Sequence, residues 1–258
     1  MKLSVIIIAK NEEANIERCL RSVSWADEII LVDSGSTDRT VGIASGMGAR
    51  IFNPEWKGFG PAKQFALDQA TGDWVLSIDA DEEVSFTLKG EIRQLLESEP
   101  PCAGYCVPRK TQFLGKWILH SGWYPDYVLR LFRRSAGRFT SALVHEEVEV
   151  TGMTGRLHNP LMHYSYPTLE NYLHKMDQYS TLGAEDLYRA GKEFSPYCLM
   201  VKPLVSFLRK LVLQRGWRDG WEGFLIACLT STGTLLKYAK LRQKYINARK
   251  TGARTEEP

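Results

Sequence analysis

The stretch Gly72-Asp-Trp-Val-Leu-Ser-Ile-Asp-Ala-Asp-Glu82 contains an apolar strand, Trp74 to Ile78, that ends in two aspartates separated by one small residue. A run of this kind, apolar on both faces, belongs in the middle of a parallel sheet. The segments upstream repeat the theme. Leu3 to Ala9, Glu28 to Asp33 and Ala49 to Phe52 read as strands. Between them, Asn11 is expected to cap a helix through Val23, a second helix follows Asp38 to about Met47, and Pro61 opens a third to Ala70. Strands alternating with helices at this spacing predict an α/β fold with a mostly parallel, Rossmann-like sheet.

Beyond Asp81 the pattern changes. A helix is expected over Phe86 to Ser98, then strands at Gly104 to Arg109, Val128 to Arg133 and Val144 to Val150, forming a mixed extension. From Thr168 the signals are helical, with breaks expected at Pro196 and Pro203 and a turn at Gly216 to Gly220. The expected organisation is a catalytic domain over residues 1–165, split into halves 1–100 and 101–165, followed by a helical, basic region over 166–258.

The net charge of +3 is unevenly spread: from Leu199 onward there are 12 Lys/Arg against 4 Asp/Glu, so the remaining residues hold 33 − 12 = 21 basic and 30 − 4 = 26 acidic. A basic tail with large apolar residues points to an anionic membrane surface rather than nucleic acid, for which the aromatic pattern is wrong. The longest charge-free stretch there, Gly223 to Leu236, is too short to span a bilayer. The five cysteines lack zinc spacing and read as reduced thiols in a cytoplasmic protein. The apolar start ends at Lys10, too soon for a secretory signal. No G-x-G-x-x-G follows the first strand and no G-x-x-x-x-G-K-[ST] occurs, which excludes dinucleotide and P-loop chemistry.

In an open parallel sheet, ligands bind at the carboxyl ends of the strands. Three polar clusters fall there: Lys10-Asn-Glu12, Asp33-Ser-Gly-Ser-Thr-Asp38 and Asp79-Ala-Asp81. Ser36, Thr37 and Asp38 read as helix starters, whereas the paired aspartates suit a hard divalent cation, Mg²⁺ or Mn²⁺. On strand alternation Arg130 and Arg134 share one face and Arg133 the other, and Arg130 is favoured as functional. Glu146, flanked on its own face by Val144 and Val148, is favoured as a general base, with Glu147 and Asp126 as the other candidates. Trp117, Trp123 and Tyr124 read as packing residues, and His120, His158, His163 and His174 show no ligand pattern.

Ser4-Val-Ile-Ile-Ile-Ala-Lys-Asn-Glu-Glu13, Val32-Asp-Ser-Gly-Ser-Thr-Asp-Arg-Thr40 and Gly72 to Glu82 together resemble the family 2 glycosyltransferases of the GT-A fold. Trp123-Tyr-Pro-Asp126, Arg130-Leu-Phe-Arg-Arg134 and Val144-His-Glu146 resemble, within that group, the bacterial lipopolysaccharide core β-1,4-glucosyltransferases. The resemblance implies inverting transfer of a hexose, with glucose expected, from a UDP-sugar to a heptose of the lipopolysaccharide inner core, at the inner face of the cytoplasmic membrane. It places Ala9, Asn11, Glu12 and Asp33 beside the nucleoside, Lys63 near the nucleotide, Asp79 and Ala80 at the ribose or metal, Asp81 on the metal and His145 as a further metal or phosphate ligand. Arg130 would serve the diphosphate. Another donor, a polyprenyl or polysaccharide acceptor, or a non-catalytic nucleotide-sugar or membrane-binding module are the alternative readings.

Overall fold

A computed structural model describes residues 1–140 and 148–252. Two compact units partition the chain, one of residues 1–111 and 125–164, the other of 112–124 and 165–258.

The first unit opens with β1 (Leu3–Ala9), α1 (Ile16–Val23), β2 (Glu28–Asp33), α2 (Thr40–Gly46), β3 (Arg50–Phe52), α3 (Phe59–Gln69) and β4 (Trp74–Asp79). β1 lies between β2 and β4, parallel to both, and β3 continues beyond β2. Every residue of β1 is buried because its two faces enter different cores. Leu3, Val5, Ile7 and Ala9 pack with Ile16, Cys19, Leu20 and Val23 of α1, while Ile6 and Ile8 pack with Ala62, Ala66 and Leu67 of α3. The period-two alternation of a strand thus feeds two helical layers.

β5 (Glu82–Val84) and α4 (Phe86–Glu97) follow, α4 being capped by the Ser85 hydroxyl, which accepts from the Leu88 N–H. The mixed half then comprises β6 (Gly104–Phe113), β7 (Lys116–Trp117), β8 (Asp126–Arg133), β9 (Gly137–Phe139), β10 (Val148–Val150), β11 (Thr154–Arg156) and β12 (Leu161–Tyr166). Among the described residues the sheet runs β3-β2-β1-β4-β8-β6-β12-β5, with β8 antiparallel to β4 and β12 antiparallel to β5. β9 and β10 form a separate antiparallel pair.

The second unit holds α5 (Leu169–Arg189), α6 (Pro196–Leu208), a π-helical turn (Arg209–Leu213), a 3-10 turn (Gly216–Asp219) and α7 (Gly220–Gly252). Residues 112–124 join it because Phe113 and Ile118 pack against Tyr172 and Ile226. Among the described residues no helix is long and apolar enough to cross a membrane.

Two expectations are corrected. α1 begins at Ile16 rather than at Asn11, whose φ is +56° and whose side-chain oxygen accepts from the Thr37 N–H at 2.8 Å instead of capping a helix. Pro203 does not break the chain but lies buried inside α6. Proline leaves the Leu199 carbonyl without its helical donor, but the buried ring and the Ser231 hydroxyl of α7, which donates to the Pro203 carbonyl at 2.9 Å, fix the helix at this point.

Candidate active site

The strand register brings three predicted positions to one rim. Ala9 is aligned with Asp33, and Ile8 with Asp79, so the carboxyl ends of β1, β2 and β4 are adjacent. Asn11 links the first two clusters: its N–H donates to the Ser36 hydroxyl while its own carboxamide oxygen takes the Thr37 N–H. Glu12 is tied in by its N–H, which donates to the Thr40 hydroxyl at 2.8 Å, and its carboxylate accepts from Asn15. Asp33 is buried and its carboxylate accepts from the N–H groups of Gly35 and Ser36, each at 3.0 Å, which shapes the loop after β2. Asp38 accepts from the Thr40 N–H at the start of α2, as expected of a helix starter.

At the end of β4 a chain of alternating charges crosses the site. Lys63 of α3 is 6% exposed, and its Nζ lies 3.1 Å from Asp79 Oδ1. Arg130 Nη2 donates to Asp79 Oδ2 at 2.6 Å and to Glu82 Oε1 at 2.7 Å. Glu82, with no exposed surface, also accepts the Asp79 N–H through Oε2 at 3.0 Å. Arg109 continues the line, 3.7 Å from Glu82 and 2.7 Å from Asp126 Oδ2. Burial alone would favour a neutral Asp79, but the Arg130 and Lys63 charges outweigh it and hold its carboxyl well below the usual carboxylate range. The same carboxylates push the Arg130 guanidinium further up, against the opposing effect of burial. Its Nε is buried without a hydrogen-bond partner among the described residues.

Asp81 turns elsewhere. Its Oδ2 lies 3.3 Å from His163 Nε2, and His163 Nδ1 lies 3.3 Å from the Thr111 hydroxyl. The antiparallel pairing of β5 with β12, in which His163 is aligned with Glu82, makes this contact. Sequence reasoning passed over His163, since 82 residues separate it from Asp81 and no local spacing connects them. Ala80 is buried between the two aspartates. With both Asp79 oxygens facing cations, Asp81 is the carboxylate of the pair better suited to a metal ion. Among the described residues no three His, Cys, Asp or Glu side chains converge on one point. His145 and Glu146, with the segment Val144 to Glu147 of the expected strand, lie outside the described residues.

Of the other arginines, Arg133 lies over the Trp74 ring and donates to the Pro100 carbonyl, and Arg134 donates to the Gly72 carbonyl. Arg133 is bound into the fold, whereas Arg134 is exposed to solvent apart from that one hydrogen bond. His120 pairs with Asp219, His158 with Glu91, and His174 with Gln178. Trp123 packs with Phe113, Tyr166 and Tyr172.

A parallel sheet whose strand ends gather buried cations and aspartates is built to hold an anion with a cation beside it. Residues 4–156 match the family model for glycosyl transferase family 2. The chain belongs to that family. It is a transferase, so the non-catalytic alternative falls away. The lipopolysaccharide core biosynthesis glycosyltransferase LpsC of Rhizobium meliloti is 33% identical over 95% of this chain and 93% of its own length. An uncharacterized glycosyltransferase of Rickettsia typhi is 32% identical over 96% of this chain and 89% of its own. Among solved structures, glucosyl-3-phosphoglycerate synthase from Mycobacterium tuberculosis, in complex with Mn²⁺, UDP and glucosyl-3-phosphoglycerate, aligns with 52% of this chain and 57% of its own at 26% identity and a TM-score of 0.39. This family 2 chain is related to lipopolysaccharide core biosynthesis through its curated relative.

Proposed function

We propose that this transferase moves a hexose, glucose, from a UDP-sugar to a heptose of the lipopolysaccharide inner core, with inversion, at the inner face of the cytoplasmic membrane. Residues 1–165 form the catalytic part and 166–258 the part that meets acceptor and membrane. The observation that carries the reading is the rim cluster in which Asp79 is clamped between Lys63 and Arg130 while Asp81 lies 3.3 Å from His163.

Transfer leaves a nucleoside diphosphate, so the site must stabilise negative charge that grows as the glycosidic bond breaks. Lys63 and Arg130 supply fixed positive charge at the strand ends, and Glu82 keeps Arg130 from swinging away. Ala9, Asn11, Glu12 and Asp33 shape the nucleoside end, and Ala80 lets the two aspartates diverge. A divalent cation fits Asp81 and His163, a carboxylate oxygen with an imidazole nitrogen, and that mixed set suits Mn²⁺ better than the all-oxygen preference of Mg²⁺. When bound, such an ion neutralises diphosphate charge. Thr111 orients the imidazole from the far side.

The acceptor hydroxyl needs a carboxylate base. Asp126 receives both Nε and Nη2 of Arg109, which favours a positioning role for it, and of the two remaining candidates strand alternation favours Glu146 over Glu147 as the base. His145 is a further candidate toward phosphate. Transfer of labelled glucose from UDP-glucose to heptose-terminated core tests this directly. Glu146→Gln should lower kcat by about 100-fold or more, in line with the loss of a general base, with UDP affinity unchanged. Equal turnover in that variant would remove Glu146 from the role.

A further inference from the structure

The second unit carries an apolar face that no part of the site uses. On α6, Tyr197, Met200, Leu204, Val205 and Leu208 are all exposed and recur at helical spacing along one side. The face continues through Val212 and Leu213 of the π turn, Trp217 of the 3-10 turn, and Trp221 and Phe224 at the start of α7. Met200 is 75% exposed, Leu213 78% and Trp221 71%. Trp221 stacks on Phe224 at 5.4 Å, so the aromatic end is preformed. Single exposed apolar residues need no explanation, but a continuous run of this length does.

Charge identifies the occupant. From Tyr197 to Phe224 the sequence has five Lys/Arg and two carboxylates, Asp219, which is buried and held by His120, and Glu222, which pairs with Lys116 at 2.8 Å. Arg209, Arg215 and Arg218 are exposed in the turns beside the apolar run, whereas the Lys202 ammonium is turned to Tyr238 of α7. A second copy docked on this face would bring two such cationic borders together, and the one partly exposed carboxylate there, Glu222, is already paired with Lys116. A surface of acidic headgroups over acyl chains matches both the charge and the apolar strip, with the tryptophans at the depth such rings prefer.

We infer that the face formed by α6, the two turns and the first turn of α7 inserts shallowly into a bilayer containing acidic phospholipid. This inference narrows the proposed membrane location to named residues but does not depend on donor or acceptor.

The full chain should co-sediment with vesicles of phosphatidylethanolamine and phosphatidylglycerol, and about tenfold less with phosphatidylcholine vesicles. The variant Leu204→Glu/Leu213→Glu/Trp221→Ser should lose about tenfold or more in vesicle affinity, with thermal midpoint and UDP affinity unchanged. Should that variant fail to fold, Arg209→Glu/Arg215→Glu/Arg218→Glu, which changes exposed charges only, should abolish the salt-sensitive part of binding. Brominated acyl chains should quench the fluorescence of Trp217 and Trp221, and Trp217→Phe/Trp221→Phe should remove that quenching. Absence of binding to acidic vesicles, or wild-type affinity in both variant sets, would overturn the inference. A dimer that dissociates in the first variant, without vesicle binding by the wild type, would instead make the face a contact between copies. Loss of UDP binding with vesicle binding intact would strike only the transfer reading.

Discussion

Arg130 and Glu82 are mutually dependent. Glu82 is fully buried and Arg130 nearly so, and the guanidinium bridges Glu82 to Asp79. Replacing Arg130 with Met leaves the buried Glu82 carboxylate with only the more distant Arg109, 3.7 Å away, for which a cost toward the lower end of about 3–5 kcal/mol is expected. Urea unfolding should show that loss, and adding Glu82→Gln should restore part of it, because the under-compensated charge is then gone. Asp81→Ala should behave differently: its carboxylate is not part of the clamp, so stability should hold within about 1 kcal/mol while transfer falls and the stimulation by Mn²⁺ disappears. His163→Ala should weaken Mn²⁺ by about 10–100-fold, readable by titrating Mn²⁺ into the protein without substrate. His163 was not legible in the sequence because its nearness to Asp81 comes from strand pairing. Lys63 was legible as a position but not as a buried charge, since helical spacing cannot tell a solvated first-turn lysine from one aimed at a neighbouring strand end.

At the scale of elements, Glu28 shows how one residue fastens several. Its carboxylate accepts from Ser4 of β1, from the N–H and hydroxyl of Thr71 before β4, and from Arg50 of β3 at 2.7 Å. Burial opposes its ionisation, but these hydrogen bonds win and lower its pKa to about 2 from an ordinary 4.5. The folded value lies below the unfolded one, so the stabilisation is complete above about pH 4.5 and is lost as pH falls toward 2. Unfolding free energies should therefore fall by about 2 kcal/mol for the wild type between pH 6 and pH 3, and fall less for Glu28→Gln. Close approach acts at the same joint: a Cβ on Gly72 would stand 2.7 Å from Ser4 Oγ and 2.8 Å from its backbone nitrogen, so Gly72→Ala should lower Tm. The parallel strands were legible because each is apolar on both faces, and that signal survives without an alignment. The start of α1 was not, since Asn11 has an equally good partner in the loop after β2. Pro203 misled because local rules do not include the Ser231 hydroxyl that takes up its carbonyl.

Across the whole molecule, the rim of the parallel sheet was readable from three short clusters, whereas the side chains that complete it came from the mixed half: Arg130 from β8, Arg109 from β6 and His163 from β12. This division follows from physics, since strand-end position is a local property and convergence of distant strands is a global one. Family 2 membership accounts for the rim, and the exposed apolar face of the second unit would answer a separate demand, the proposed membrane location. The most direct test of the account is isothermal titration of the protein with UDP, UDP-glucose and UDP-galactose, each with and without Mn²⁺. Binding that requires Mn²⁺, favours UDP-glucose and is lost in Asp81→Ala is the predicted result, whereas no binding of any uridine nucleotide, or binding indifferent to Mn²⁺ and to Asp81, would contradict it.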